Sequence, residues 1–420
     1  MGPGRPFSLV RIVSVRTGLD SADPSRESRM DCAHAGKAGI GRLFAEHCSA
    51  WERRWEDADV SIRGDAEALR ALRFSTYHVM SVAPLHSDGV SIPARGLSSQ
   101  VYKGGVFWDT EIFMLPFFFS VMPKVARSLL MYRFRTLEGA RRKAKEYGYR
   151  GAFYAWESQD TGDDACTLFN VTDVLTGRPV RTYFRDRQYH ISADVAYALW
   201  SYYEMTGDRS ILLDGGAEVI FECARFYLSL LYYKPEKDRY EILDVTGPDE
   251  YHERVHNSAF TNAMAAHAFD LCCRVAEELQ LHDPDRLRFL LQRLQFSTDL
   301  EAVRSARARL HVPSPDARTL VIEQFDGYFA LEDARPDTLR ERKLHPHEYL
   351  GGGSGIATQT QVIKQADVVL ASLLLDFPHD VKEANWRYYE PRTEHGSSLS
   401  SCAYGIVGAE IGETARAYDY

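Results

Sequence analysis

The chain has 420 residues, 45% of them hydrophobic and 26% charged, which is ordinary globular composition. Its formal net charge is −9, and no basic run exceeds short pieces such as "ARRKAK" (140–145), which argues against nucleic acid, whose phosphates need a positive footprint. No apolar run reaches the roughly 18 residues of a membrane-spanning helix, and the greasiest, "IFMLPFFFSVM" (112–122), is too short.

The N-terminal "MGPGRPFSLVRIVSVRTG" lacks the charged, apolar and cleavage regions of a signal peptide. Arg5 and Pro6 also spoil a myristoylation match. Residues 7–18 alternate and are rich in β-branched side chains, which predicts a strand with no visible partner. Residues 19–36 are polar and read as a loop. From about residue 38 the pattern is helical, with Leu43, Phe44, His47, Trp51 and Trp55 at three- and four-residue spacings. A helix over 65–83 follows, with Asp65 as its N-cap. Further helices are predicted over about 109–135, 136–147, 190–206, 215–233, 258–280, 284–297, 362–376 and 399–418. No fixed-period repeat is visible. An all-α region of about 350 residues without a solenoid period has to close on itself to bury its inner faces. A toroid of helical hairpins does this, with function on the loops at one end. The seven cysteines show no C-x-x-C and no zinc spacing, so they read as reduced thiols of a cytoplasmic protein.

Five stretches carry candidate chemistry. In "ARGLSSQVYKGGVFWDTEIF" (94–113), glycines lead to Trp108 and Asp109; an indole packs on a pyranose face and a carboxylate takes hydroxyls. The plain alternative is a core Trp and a helix-capping Asp. "RGAFYAWESQDTGDDAC" (150–166) joins Trp156 to Glu157 and further acids, or is a solvated acidic loop. "VTGPDEYHERVHNS" (245–258) crowds Asp249, Glu250, His252, Glu253 and His256 at what reads as a helix entrance. Crowded acids let one keep a proton near neutral pH; the alternative is a solvated helix end. In "EYLGGGSGIATQTQVIKQADVVLASLLLDF" (348–377) no Gly-Lys-Ser/Thr follows the glycines, so it is not a P-loop. Lys364 and Gln365 stand before an apolar helix, where a lysine needs a partner. In "YYEPRTEHGSSLSSCAYG" (388–405), His395, Ser397 and Ser398 precede a helix whose N-terminus can hold a phosphate, or they are a Ser cap with an incidental His.

Taken in order, these blocks, together with "YHISADVAYALWSYYEMTGD" and "QFDGYF", closely resemble glycoside hydrolase family 65. That family holds inverting phosphorylases of maltose, trehalose, kojibiose and nigerose, and some α-glucoside hydrolases. The resemblance runs from about residue 38 to the end and implies an all-α (α/α)6 barrel. It implies Glu250 as general acid. Trp108, Asp109, Trp156, Glu157, Lys364 and Gln365 become substrate contacts, and His395, Ser397 and Ser398 the phosphate pocket. The loop over about 159–186 is implied to shape the acceptor site. Gly105 stands where the family's pattern has His, and Gly396 where it has Asp. Family members also carry an N-terminal β-sandwich, so residues 1–64 are expected to be its remnant plus a linker helix. Residues 65–420 are then the barrel with its last helix incomplete, in a chain cut short at both ends.

The implied reaction is inverting phosphorolysis of an α-glucosidic disaccharide to β-glucose 1-phosphate and a free sugar. Its partners are the disaccharide and inorganic phosphate as co-substrate, with no metal or organic cofactor, no nucleic acid and no membrane; a homodimer is left open. An inverting hydrolase of the same fold is the nearest alternative. It needs a second carboxylate, for which Glu394 is the candidate. A third reading is an inactive fragment that only binds sugar.

Overall fold

The computed structural model describes residues 8–98, 101–353 and 355–420. The chain divides into two compact units, Met1–Ser81 and Val82–Tyr420. The first unit holds α1 (Pro24–Ala38), α2 (Ile40–Ala58) and α3 (Ala66–Val82). The sequence reading took the α1 region for a loop. It is helical because Asp23 caps it, accepting the Arg26 amide at 3.0 Å, and Pro24 supplies the fixed φ of the first turn. None of its residues is buried, so it leaves no apolar stripe to read. Asp65 caps α3 as expected, accepting the amides of Glu67 and Ala68 at 3.0 and 2.8 Å. Residues 8–18 form no strand ladder, and Leu9, Val10, Val13 and Val15 are exposed; residue 7 of that expected strand lies outside the described residues. The expected division at 64/65 therefore differs from the one observed, because α3 belongs to the first unit.

The second unit is built from helices joined by long loops. They are α4 (Leu115–Val121), α5 (Pro123–Arg135), α6 (Leu137–Glu146), α7 (Phe184–Arg187), α8 (Ile191–Thr206) and α9 (Ala217–Leu230). After them come α10 (Ala259–His282), α11 (Pro284–Leu294), α12 (Ser297–Arg309) and α13 (Pro336–Arg342). The last four are α14 (Val368–Leu374), α15 (His379–Tyr389), α16 (Ser398–Glu410) and α17 (Thr414–Asp419). α10 is the hub, packing on α8, α9, α11, α12 and α14. Its small residues Ala263, Ala265, Ala266 and Ala268 are all buried and let neighbouring helices approach. Two short antiparallel hairpins complete the unit: β1 (Val171–Thr172) with β2 (Pro179–Val180), and β3 (Tyr232–Lys234) with β4 (Arg239–Glu241). Among the described residues no helix is long and apolar enough to cross a membrane.

Two departures from the sequence reading bear on the site. The expected helix over 109–135 is a π turn (Thr110–Met114), then α4, then a break at Met122 before α5. Pro123 causes the break, since it has no N–H to continue the ladder. The expected helix over 362–376 begins only at Val368. Residues 363 and 364 are instead laid against 392–396: the Ile363 amide donates to Arg392 O (3.0 Å), the Glu394 amide to Ile363 O (2.8 Å) and the Gly396 amide to Lys364 O (3.0 Å). Lys364 and Gln365 thus sit on an extended strap and not on a helix.

The start of the π turn is held by a fully buried ion pair. Arg133 on α5 donates to Glu111 at 2.8 and 2.7 Å and to Phe107 O at 3.1 Å. Burial lowers the Arg133 pKa, but the charge and hydrogen bonds of Glu111 outweigh it and leave the guanidinium above its ordinary value. Arg133→Met strands Glu111 without a counter-charge, and breaking such a pair costs about 3–5 kcal/mol. The variant is expected to unfold at a clearly lower temperature in a thermal melt; an unchanged midpoint would show that the pair is dispensable.

Candidate active site

The stretch 245–258 is a loop and not a helix entrance. Val245 and Val255 close it as an antiparallel bridge, with N–O distances of 2.8 and 2.9 Å, and α10 starts after it, capped by Ser258. Asp249 is buried inside the loop with its carboxylate fully occupied. Oδ1 accepts the amides of Tyr251 (3.1 Å) and Lys364 (2.9 Å). Oδ2 meets His252 Nδ1 (2.6 Å) and Gln324 Nε2 (3.1 Å). Beneath it, Asp367 accepts the Asp249 amide at 3.3 Å, and burial pushes the Asp367 carboxyl up to about 8, with the charge of Asp249 adding. Gln365 donates to Pro248 O at 2.6 Å, and the Tyr349 hydroxyl to Glu250 O at 3.0 Å. The backbone on both sides of Glu250 is therefore fixed.

The Glu250 side chain projects from this frame, accepting Lys364 Nζ at 2.6 Å. Burial lowers the Lys364 pKa, but Glu250 overcomes it and leaves the ammonium above its ordinary value. Glu250 and Lys364, with Tyr102 and Trp156, line two neighbouring cavities. The first, of about 280 Å³, also takes in Trp108, Asp109, Gln365, Ser397, Ser398 and Arg95. The second, of about 440 Å³, takes in Lys103, Glu157, Phe184 and Tyr349, and Thr167, Phe169, Asn170 and Val171 from the 159–186 loop.

Around the first cavity the plain alternatives are partly excluded. Asp109 makes no capping hydrogen bond, and burial pushes its carboxyl up to about 7, with the charges of Glu111 and Glu250 adding. Trp108 is 1% exposed and packs edge-on against Phe113, His190 and Phe260, so it is core that presents one side to the cavity. Ser397 caps α16, accepting the Leu399 amide at 3.3 Å, and lines the cavity as well. His395 is placed differently from the expectation. Its ring nitrogens meet Ser400 Oγ and the Tyr420 hydroxyl, both at 3.0 Å, its ring packs on Tyr404 and Tyr420, and it is not in the cavity lining. Burial lowers its pKa to about 4, so at neutral pH it offers no positive charge.

On the second side, Asp164 fixes the wall. It accepts the amides of Trp156 (2.9 Å), Glu157 (3.1 Å) and Cys166 (3.0 Å), and Lys143 Nζ at 2.7 Å. Glu157 is buried and paired with Lys103; burial raises its carboxyl and Lys103 only partly opposes that. Glu394, the candidate base of a hydrolase, lines neither cavity, and its carboxylate accepts the Tyr251 hydroxyl. Arg95, Tyr102, Lys103 and Tyr349 were missed from the sequence. The first three stand in the same block as Trp108, and Tyr349 stands two residues before the glycine run, so proximity to a motif was the only signal.

Residues 73–420 match the glycosyl hydrolase family 65 central catalytic domain. Among curated relatives, a nigerose phosphorylase from Lachnoclostridium phytofermentans is 49% identical over 99% of this chain and 55% of its own length. A kojibiose phosphorylase from Halothermothrix orenii is 41% identical over 96% and 52%. A 1,2-alpha-glucosylglycerol phosphorylase from Bacillus selenitireducens is 42% identical over 99% and 54%. A solved structure provisionally described as a kojibiose phosphorylase from human microbiome superposes with a TM-score of 0.83 at 26% identity, covering 95% of this chain and 51% of that one. The chain thus spans about half the length of the relatives it matches. The helical unit is the (α/α)6 barrel that the sequence implied.

The two neighbouring acids differ in kind, and their variants should separate. Asp249→Ala strands the buried amides of Tyr251 and Lys364 and the side chains of His252 and Gln324, each worth about 1–3 kcal/mol when left unsatisfied. It is expected to lower the melting temperature strongly. Glu250→Gln removes only one partly exposed ion pair and should stay within about 1 kcal/mol of the parent. Equal destabilisation by both would contradict this assignment.

Proposed function

Since the chain belongs to glycosyl hydrolase family 65, we propose that its site carries out inverting phosphorolysis of an α-glucosidic disaccharide, releasing β-glucose 1-phosphate and a free sugar. The observation that carries the reading is the position of Glu250 on the wall common to two cavities. A glycosidic oxygen lies between a glucosyl unit and its acceptor, so an acid serving it belongs at that boundary.

In this reading the first cavity takes the glucosyl unit. Asp109 accepts its hydroxyls, Trp108 and Trp156 give apolar faces, and Lys364 and Gln365 add donors. Glu250, which must first take up a proton in place of its ion pair with Lys364, passes that proton to the glycosidic oxygen as the C–O bond breaks. A phosphate oxygen attacks the anomeric carbon from the opposite face, which inverts the configuration. Phosphate sits at the start of α16, where the Ser397 and Ser398 hydroxyls, free amides and the positive helix end suit an anion. Arg95 in the same lining supplies charge that His395 does not. The scheme uses inorganic phosphate as co-substrate and asks nothing of a metal or organic cofactor. Reduced thiols and the acidic balance favour a cytoplasmic setting, with the disaccharide and phosphate as the partners the scheme requires.

A hydrolase of this fold needs a base on the far face of the sugar. Glu394 is outside the lining of the glucosyl cavity, where Asp109 is the carboxylate beside Glu250. Cleavage of an α-glucoside panel with and without phosphate distinguishes the two. Phosphorolysis requires saturable dependence on phosphate and a β-anomer product by proton NMR; free glucose at the same rate without phosphate would establish hydrolysis.

Two variants follow. Glu250→Gln removes the transferable proton, and turnover should fall about 10²–10⁴-fold while sugar binding persists; retention of a tenth of the rate would remove Glu250 from the role. Replacing residues 159–186 by the loop of a relative with another acceptor should change acceptor preference in the synthetic direction and leave the KM for β-glucose 1-phosphate within about twofold. An unchanged acceptor profile would refute the assignment of that loop.

A further inference from the structure

Glu253 is a half-buried carboxylate that neither the acid step nor the sugar contacts use. Its Oε1 accepts the backbone N–H of Tyr183 at 2.9 Å, while its Oε2 is buried with no hydrogen-bond partner. Tyr183 closes the 159–186 loop just before α7. The next residue, Phe184, lines the second cavity and leans on Trp156 with ring centroids 5.6 Å apart. This hydrogen bond ties the loop that bears Glu250 to the residue next to the ring that walls the acceptor side. The seam around it is made by the Thr246 amide on Arg187 O (3.0 Å), the Arg187–Asp244 ion pair (2.9 Å), and the guanidinium groups of Arg181 and Arg254 over the Tyr183 ring at 4.2 and 5.0 Å. Behind it, a cavity of about 360 Å³ is shared by Tyr183, Glu253 and the backbone of Gly352 and Gly353, and a Cβ on Gly352 would lie 3.7 Å from Oε2.

We propose that Glu253 is a positioning residue for acceptor binding, its side chain latching the end of the 159–186 loop to the catalytic loop. This rests on the reading of the second cavity as the acceptor site. The groups facing Glu253 are Glu250, His252 and Arg254 on its own loop, Arg181 and Asp186 across the seam, and the Tyr349 phenol from the glycine-rich side. Burial pushes the Glu253 carboxyl up to about 7; the Tyr183 amide and Arg181 oppose this, and Glu250 and Asp186 add to it. Opening the latch returns the group to water and its ordinary value of 4.5. Closing therefore takes up a proton. The latch is strongest below the solvated value, weakens as pH rises between the two values, and levels off above about 7.

The test is steady-state kinetics in the synthetic direction from about pH 5 to 8, comparing the acceptor KM with the KM for β-glucose 1-phosphate. In the parent the acceptor KM should rise up to about pH 7 and then flatten. Glu253→Gln keeps an oxygen for the Tyr183 amide without a charge, so its acceptor KM should stay low and flat. Glu253→Ala should raise it several-fold at every pH, with the KM for β-glucose 1-phosphate nearly unchanged. An alanine variant with the parent's acceptor KM, or a glutamine variant that keeps the pH slope, overturns the proposal. Hydrogen exchange at Tyr183 and Phe184, compared between variants at one pH, reads the latch without turnover. Faster exchange in Glu253→Ala and parent-like or slower exchange in Glu253→Gln support it; equal protection in all three overturns it. If exchange responds but no glucosyl transfer to any acceptor is found, it is the functional reading that fails.

Discussion

The site depends on the buried Asp249 carboxylate. An irregular loop has no ladder to satisfy its amides, and each buried one left open costs about 1–3 kcal/mol. Asp249 answers this for two segments 115 residues apart in sequence, holding the Tyr251 amide of its own loop and the Lys364 amide of the strap. Together with Gln365 on Pro248 O and Asp367 on the Asp249 amide, it brings Glu250 within 2.6 Å of Lys364. Neither partner is on a helix, so no regular element would otherwise fix the distance between them.

The same device recurs at the other loops that reach the cavities. Glu111 receives Arg133 beside Trp108 and Asp109, and Asp164 receives Lys143 beneath Trp156 and Glu157. In each case a buried ion pair lies within a few residues of a side chain that faces the cavity. Burying a charge is tolerated only with such pairing, and any displacement leaves an uncompensated ion. The loops are consequently held in place beneath the side chains that face the cavities.

Much of the helical framework was legible because inner helices such as α8 and α10 carry apolar residues at helical spacing. The misreadings have local causes. α1 buries nothing and so shows no periodicity, and the apolar run 362–376 suggested a helix where the backbone of Ile363 and Lys364 pairs with 392–396. The motif blocks located Trp108, Asp109, Glu250, Lys364, Ser397 and Ser398 around one cavity, but they could not show which way His395 turns. That depends on Ser400 and Tyr420, whose approach is set by tertiary packing. Arg95 and Tyr349 were invisible for the converse reason: an ordinary arginine and tyrosine become site residues only when the chain folds them there.

The crowding of acids in "VTGPDEYHERVHNS" is resolved by giving each a different environment. Asp249 is surrounded by four donors and faces inward. Glu250 points the opposite way, against an ammonium and into the cavities. Glu253 is half-buried with one donor and one bare, buried oxygen, and desolvation raises its carboxyl toward neutrality. Three like charges at this spacing would repel if all were solvated alike on one helix face. Folding the stretch as a loop turns the carboxylates in three directions, which a helix, with side chains 100° apart in fixed succession, does not do. The loop conformation is therefore what lets one acid serve as scaffold, one face the substrate and one hold the neighbouring loop.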